Sequence, residues 1–308
     1  MFVVCGEALF DVFAGDRTPA GLALDARIGG SPFNVAMGLA RLGQPVSLCA
    51  GIARGALGDR LMQALAEERI GTGLVRRLDA PATLSLVGLD NQGVASYSFY
   101  GHGAADRLLP AEVVDAVPED TAAVHVGSYT MVVEPVASVH RALVQRWQGR
   151  ALVSHDVNVR LNVEPSIDRW RAAVDWMAGR ADLLKLSDED AALLYPGEAA
   201  DALAAGWRAR GTGVVVMTRG AQGARAWLAG GPLDVPPVPT PLVDTVGAGD
   251  TFQAAMLAGL AERGLLGPAA MRAAPRAAWE AVLGWAARAA ALTCARRGAD
   301  LPRRPDLP

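Results

Sequence analysis

The sequence contains very little lysine. Lys185 is the only one among 29 basic residues, and it follows Leu184. The GxxxxGK[ST] phosphate loop needs a lysine after glycine, so any nucleotide chemistry here is not Walker-A chemistry. Cysteine is also sparse. Cys5, Cys49 and Cys294 are odd in number and far apart, and they lack CxxC spacing. That pattern argues against a disulfide frame or a zinc site and fits reduced thiols in the cytoplasm. No run of about 18 uncharged apolar residues suggests a membrane span. The apolar start lacks a positive n-region and is interrupted by Glu7 and Asp11, so no secretory leader is expected. A net charge of -3 offers no general attraction for nucleic acid or anionic membranes. No GxGxxG follows the first apolar run, which excludes the usual nicotinamide fingerprint. Internal repeats, low-complexity linkers and charge blocks are absent as well.

Aromatic residues make up 6% of the 308-residue chain and hydrophobic residues 51%, so the core is expected to consist mainly of Ala, Leu and Val. The pattern is strand then helix, repeated. Residues 2–5 and 46–50 read as buried strands, and 58–70 as an amphipathic helix. Ser31-Pro32 reads as an N-cap with proline at the first helical position, and Gly43 ends that helix. Strands near 122–126, 151–155, 182–186 and 213–217 alternate with helices over 134–147, 168–178 and 199–209. Two more helices are expected over 247–262 and 279–296, followed by an extended tail marked by Pro302, Pro305 and Pro308. This alternation predicts an α/β fold with a mostly parallel sheet covered on both faces. Two β-rich runs around Asp90-Asn91-Gln92-Gly93 read as a hairpin. With residues 11–28, the stretch 83–100 predicts a small β-sheet lid beside a single α/β domain spanning 1–308. Trp147, Trp170, Trp176, Trp279 and Trp285 fall on helix patterns as packing residues. His102, His125, His140 and His155 lack metal-ligand spacing.

The chemistry concentrates in Asp244-Thr245-Val246-Gly247-Ala248-Gly249-Asp250. Gly247, Ala248 and Gly249 lie where a loop enters a helix, so unpaired N–H groups and the positive helix end converge on a volume suited to an anion. Asp250 places a carboxylate beside that volume. Such a carboxylate suits the task of orienting a hydroxyl and accepting its proton as it attacks phosphorus. The plainer reading is a glycine turn with Asp250 as a first-turn helix charge.

DTVGAGD resembles the C-terminal signature of the PfkB, or ribokinase-like, sugar kinases. Gly29-Gly30-Ser31-Pro32-Phe33-Asn34-Val35-Ala36 resembles their N-terminal sugar-site motif. Further matches run along the chain: residues 5–11, 97–107, Val126-Gly127-Ser128, Asp156 to Arg160, Lys185 to Asp190, Thr218-Arg219-Gly220 and Arg297 to Asp300. Within the family the bacterial fructokinases look most similar. The resemblance implies a ribokinase-like fold and transfer of the γ-phosphoryl group of ATP to a primary sugar hydroxyl, with D-fructose giving fructose 6-phosphate.

Carried over residue by residue, it makes Asp250 the base, with Gly247, Ala248 and Gly249 as the anion hole. Asp11, Gly30 and Asn34 fall at sugar-binding positions, although Asp11 and Asn34 also suit ordinary turns and caps. Tyr100 belongs to a stretch that closes over the sugar or simply packs a hairpin. Arg160, in the DxNxR context, is a phosphate contact. Thr218, Gly220 and Gly223 follow a Val-rich strand, where small residues let ATP approach. The Lys185–Asp190 stretch departs from the family's NxxE motif, with Ser187 and Asp190 where Asn and Glu are usual. Lys185 and Ser187 are still expected on the nucleotide side, with Glu134 and Glu189 near Mg²⁺. Room for a monovalent cation such as K⁺ is implied beside Asp244. An open lid edge would allow a homodimer. Two alternatives remain open: a relative acting on 2-keto-3-deoxygluconate, a pentose or a nucleoside, and a non-catalytic sugar or nucleotide sensor.

Overall fold

The computed structural model describes residues 1–89 and 95–307. The chain opens with β1 (Phe2–Cys5), β2 (Leu9–Thr18) and β3 (Gly21–Gly29), then enters α1 (Ser31–Arg41) and β4 (Val46–Cys49). Next come β5 (Gly51–Ala53), α2 (Ala56–Glu67), β6 (Arg76–Leu78), β7 (Leu84–Leu89), β8 (Ala95–Tyr100) and β9 (Ala123–Gly127). Alternation follows through α3 (Val136–Trp147), β10 (Leu152–Asp156), α4 (Ile167–Ala178), β11 (Leu183–Ser187), α5 (Asp188–Leu194), α6 (Ala200–Ala209) and β12 (Val214–Thr218). The last elements are β13 (Ala224–Leu228), β14 (Gly231–Val235), α7 (Ala248–Glu262), α8 (Pro268–Ala273) and α9 (Arg276–Cys294).

Eight strands form the main sheet in the order β14-β13-β12-β11-β10-β9-β1-β4. All pairings from β12 to β4 are parallel, and β13 and β14 add an antiparallel edge. Phe2 and Val4 of β1 face the core shared with α1, α7 and α9. Val3 and Cys5 face the opposite core with α3. Burial on both faces is why the strand reads as a continuous apolar run. α7 lies between α1 and α9, and Thr251 to Leu260 are all buried, so no polar stripe appears in its sequence. Trp147, Trp170 and Trp279 are fully buried. Among the described residues, no helix is long and apolar enough to cross a membrane.

A separate four-stranded sheet has the order β3-β2-β7-β8. Its β2–β3 and β7–β8 pairs are antiparallel, while β2–β7 is parallel. The expected turn at Asp90–Gly93 lies outside the described residues, but the flanking strands pair as an antiparallel ladder. The first half of β2 is buried and the second half exposed, which marks where this sheet leaves the main body.

Three local readings change. The N-cap of α1 is Gly30, at φ 106°, rather than Ser31. The left-handed glycine starts the helix one residue early and frees the Ser31 hydroxyl for another partner. The C-terminal tail is not extended throughout, because Arg304–Asp306 forms a 3-10 turn. Asp306 stabilises that turn by accepting from Arg303 N–H at 2.9 Å and from Arg296 at 3.1 Å. The β13–β14 hairpin, α5, α8 and the small β5–β6 pair are further elements whose short length hid them from periodicity.

Candidate active site

The parallel strands carry Asp156, Ser187 and Thr218 at their C-terminal ends, with Glu7 and Ser128 just beyond β1 and β9. This is the edge where open α/β sheets bind ligands. Facing it is the start of α7. Gly247 caps that helix at φ 78°, and a Cβ there would lie 2.7 Å from Ala299 Cβ. Glycine is therefore required by both conformation and space. The Ala248 N–H bonds to Thr245 O at 3.2 Å. The amides of Gly247, Gly249 and Asp250 have no acceptor among the described residues. These three orphan donors, together with the helix dipole, make the anion-binding volume.

Asp250 is oriented from α1, which packs across α7. Its Oδ1 accepts the Ser31 hydroxyl at 2.6 Å, and its Oδ2 accepts Asn34 Nδ2 at 2.8 Å. Ser31 and Asn34 sit three residues apart on one helical face, so both can reach the same carboxylate. The close approach of the two helices depends on Gly38, where a Cβ would lie 2.6 Å from Ala254 Cβ and 2.8 Å from Leu301 Cδ2.

Asp11 of β2 pairs in register with Ser85 of β7. Burial raises its carboxyl, while a Ser85 hydrogen bond and the Arg160 charge oppose the rise and Asp250 adds to it. A Cβ at Gly29 would lie 2.3 Å from Asp11 Oδ2, and one at Gly30 would lie 2.7 Å from Glu7 O. The tandem glycine thus makes room for two acidic residues. Arg160 Nη1 donates to its own Val159 carbonyl at 2.8 Å. Tyr100 ends β8 with 62% of its surface exposed. The adjoining Asp106 instead turns inward, accepting from Thr83 Oγ1 at 2.5 Å and Tyr129 Oη at 2.8 Å.

On the nucleotide side, Lys185 is buried, with Nζ 2.6 Å from Asp156 Oδ2. A Cβ at Gly249 would lie 3.7 Å from that Nζ, so the ammonium stands behind the anion loop. Burial raises the Asp156 carboxyl to about 6, against the opposing lysine. Its Oδ1 is buried with no hydrogen-bond partner among the described residues. Ser187 caps α5 in a reciprocal box with Asp190, so its hydroxyl is already engaged. Thr218 ends β12, and Gly220 (φ 49°) and Gly223 (φ 79°) turn the chain toward β13. A Cβ at Gly223 would lie 2.1 Å from Val235 O. Asp244 accepts Val246 N–H at 3.1 Å and Gly298 N–H at 2.8 Å, tying the loop before α7 to the segment after α9. Leu242 and Val243 beside it are exposed.

Glu134 accepts Ser138 N–H at 3.1 Å and pairs with Arg141. None of its contacts among the described residues joins it to the Asp250 cluster. Glu189 is exposed on the first turn of α5 and forms no ion pair among the described residues. No described group of three His, Cys, Asp or Glu side chains has the arrangement of a metal site. Sequence reasoning assigned no role to Ser31 or Glu7. Ser31 reads as a cap, and both residues lie only inside longer matching stretches, 29–36 and 5–11.

A family model described as "pfkB family carbohydrate kinase" matches residues 3–306. The fructokinase of Rhizobium leguminosarum bv. trifolii is 34% identical over 266 residues, spanning 86% of this chain and 81% of the relative. The Klebsiella pneumoniae fructokinase is 32% identical, spanning 77% of this chain and 78% of the relative. The crystal structure of the Xylella fastidiosa fructokinase with bound ATP is similar with a TM-score of 0.90 at 29% identity, covering 99% of this chain and 96% of that one. With the signature loop at Asp244–Asp250 and the ribokinase-like sheet, these similarities mean that the chain belongs to the pfkB family of carbohydrate kinases, enzymes that transfer a phosphoryl group to an alcohol acceptor.

Proposed function

We propose that the enzyme phosphorylates D-fructose at a primary hydroxyl, with ATP as donor and Asp250 as base. The observation that carries this reading is the doubly anchored Asp250 carboxylate beside three open amides. Each carboxylate oxygen has two acceptor sites, and Ser31 and Asn34 take one apiece. The remaining lone pairs are free to accept a sugar hydroxyl and orient it toward the γ-phosphorus. The amides of Gly247, Gly249 and Asp250 then stabilise charge spreading over the transferred group, and Lys185 adds a positive charge behind them. Asp11, Gly30 and Asn34 form the sugar-facing set, with Arg160 at the phosphate. Thr218, Gly220 and Gly223 border the nucleotide groove. The second sheet acts as a lid that keeps water from replacing the sugar as acceptor.

A bound Mg²⁺ would need one or two carboxylates from the protein. When bound, it offsets phosphate charge. Glu189, exposed and without an ion pair among the described residues, fits that role, whereas Glu134 fits only by releasing Arg141. A K⁺ site beside Asp244 and a cytoplasmic location are parts of the same reading. Exposed Leu22 and Leu24 on β3 support pairing of two copies through the lid, which light scattering would measure.

The decisive experiment is a coupled ADP-release assay with Mg-ATP, with and without K⁺, across ketoses, aldoses, keto-acids and nucleosides. Fructose should give the highest kcat/KM. Preference for another class would redirect the substrate, and turnover on none would support the sensor reading.

A further inference from the structure

α1 has no side-chain cap of its own, since Gly30 is its N-cap and offers none. The missing acceptor comes from the β1–β2 connection, where Glu7 Oε1 takes the Ser31 N–H at 3.3 Å. Glu7 is 2% exposed. Its Oε2 lies 3.5 Å from Thr130 Oγ1, a hydroxyl anchored on Gly127 O at 3.0 Å. The seat is tightly built: a Cβ at Gly6 would lie 2.3 Å from Pro32 Cγ and 3.1 Å from Thr130 Oγ1. Ser31 therefore links two acidic groups, its N–H to Glu7 and its hydroxyl to Asp250 Oδ1 at 2.6 Å.

From these contacts we propose that Glu7 is a positioning residue for phosphoryl transfer, holding the first turn of α1 through Ser31 and so setting where the Asp250 carboxylate points. This inference rests on Asp250 being the base. Burial pushes the Glu7 carboxyl up to about 8, with Asp106 adding to the rise and the Ser128 hydrogen bond and the Arg160 charge opposing it. At neutral pH Glu7 thus acts as an uncharged acceptor, a role that a glutamine carbonyl can also fill.

The test compares kcat, KM for sugar and ATP, and thermal unfolding in Glu7→Gln, Glu7→Leu, Ser31→Ala and the Glu7→Leu/Ser31→Ala pair. Glu7→Gln should keep kcat within about threefold of the parent. Glu7→Leu should lower kcat by roughly 10- to 100-fold, as a displaced base does, with KM for ATP within about twofold. The pair should be no worse than the poorer single variant, because both changes break one link. Losses that multiply, or a folded Glu7→Leu with parental kcat, would overturn the proposal. If Glu7→Leu does not fold, Glu7→Asp withdraws the acceptor while keeping the acid, and parental kcat there is equally fatal. Asp250→Asn separates the two claims. Normal turnover in that variant removes the base itself, whereas lost turnover beside a parental Glu7→Leu removes only the Glu7 link.

Discussion

Lys185 Nζ lies 2.6 Å from Asp156 Oδ2, with both side chains almost fully buried, and the pair stands directly behind the glycine loop that opens α7. Removing one member leaves the other buried without its counter-charge, to be carried bare or neutralised at a cost in stability. Lys185→Met should therefore lower stability by about 3–5 kcal/mol, measured by denaturant unfolding. Lys185→Met/Asp156→Leu should recover most of that stability, since apolar replacement of a buried pair is often neutral. It should not recover turnover, because the positive charge beside Gly249 is gone. Full recovery of kcat in the double variant would assign the pair to folding alone.

Asp250→Asn keeps the shape of the side chain and its acceptor for Ser31 but cannot take a proton. Turnover should fall by roughly 10²- to 10⁴-fold, the usual worth of a general base. ATP affinity, read by equilibrium titration, should stay near parental because the α7 amides are untouched. Near-normal turnover would exclude Asp250 as the base.

Gly38 sets the distance between α1 and α7. In Gly38→Val the new side chain must displace Ala254 and Leu301, both closer than 3.0 Å to a Cβ at this position. Overpacking of this kind costs about 1–3 kcal/mol, more than the few tenths that valine's better helix propensity returns. Because Ser31 and Asn34 ride on α1, kcat should fall along with the unfolding midpoint. A stability loss with unchanged kcat would show that Asp250 tolerates movement of α1.

Two raised carboxyls give stability a direction with pH. Glu7 rises from 4.5 to about 8 and Asp156 from 3.8 to about 6, both through burial. Between these limits the folded protein holds protons that the unfolded chain releases. The stability these groups contribute is full below their unfolded values and is lost as pH rises through about 6 and then about 8. Glu7→Gln removes the upper part of that loss. Its advantage over the parent in denaturant midpoint should be larger at about pH 8 than at about pH 5. An advantage that stays constant would contradict the raised Glu7.

The fold was legible from local signals where elements are long and periodic. Buried strands such as Phe2–Cys5 and Leu183–Ser187 and the proline-to-glycine span of α1 need only their own residues to be recognised. The β13–β14 hairpin was not legible, because two five-residue strands joined by Ala229-Gly230 carry neither a helical period nor a clear alternation.

By itself, the sequence determined the α/β alternation, the absence of a Walker lysine and the glycine loop that ends in Asp250, because propensity and turn chemistry act over a few residues. Tertiary structure alone decided the partners of that aspartate. Ser31 and Asn34 lie 219 and 216 residues from Asp250 in the chain, and only the packing of α1 on α7 brings them to its two oxygens. The same holds for Glu7 beneath α1 and for Lys185 behind Gly249. Their roles depend on which groups share a buried volume, a property of the packed sheet and helices that no local pattern encodes.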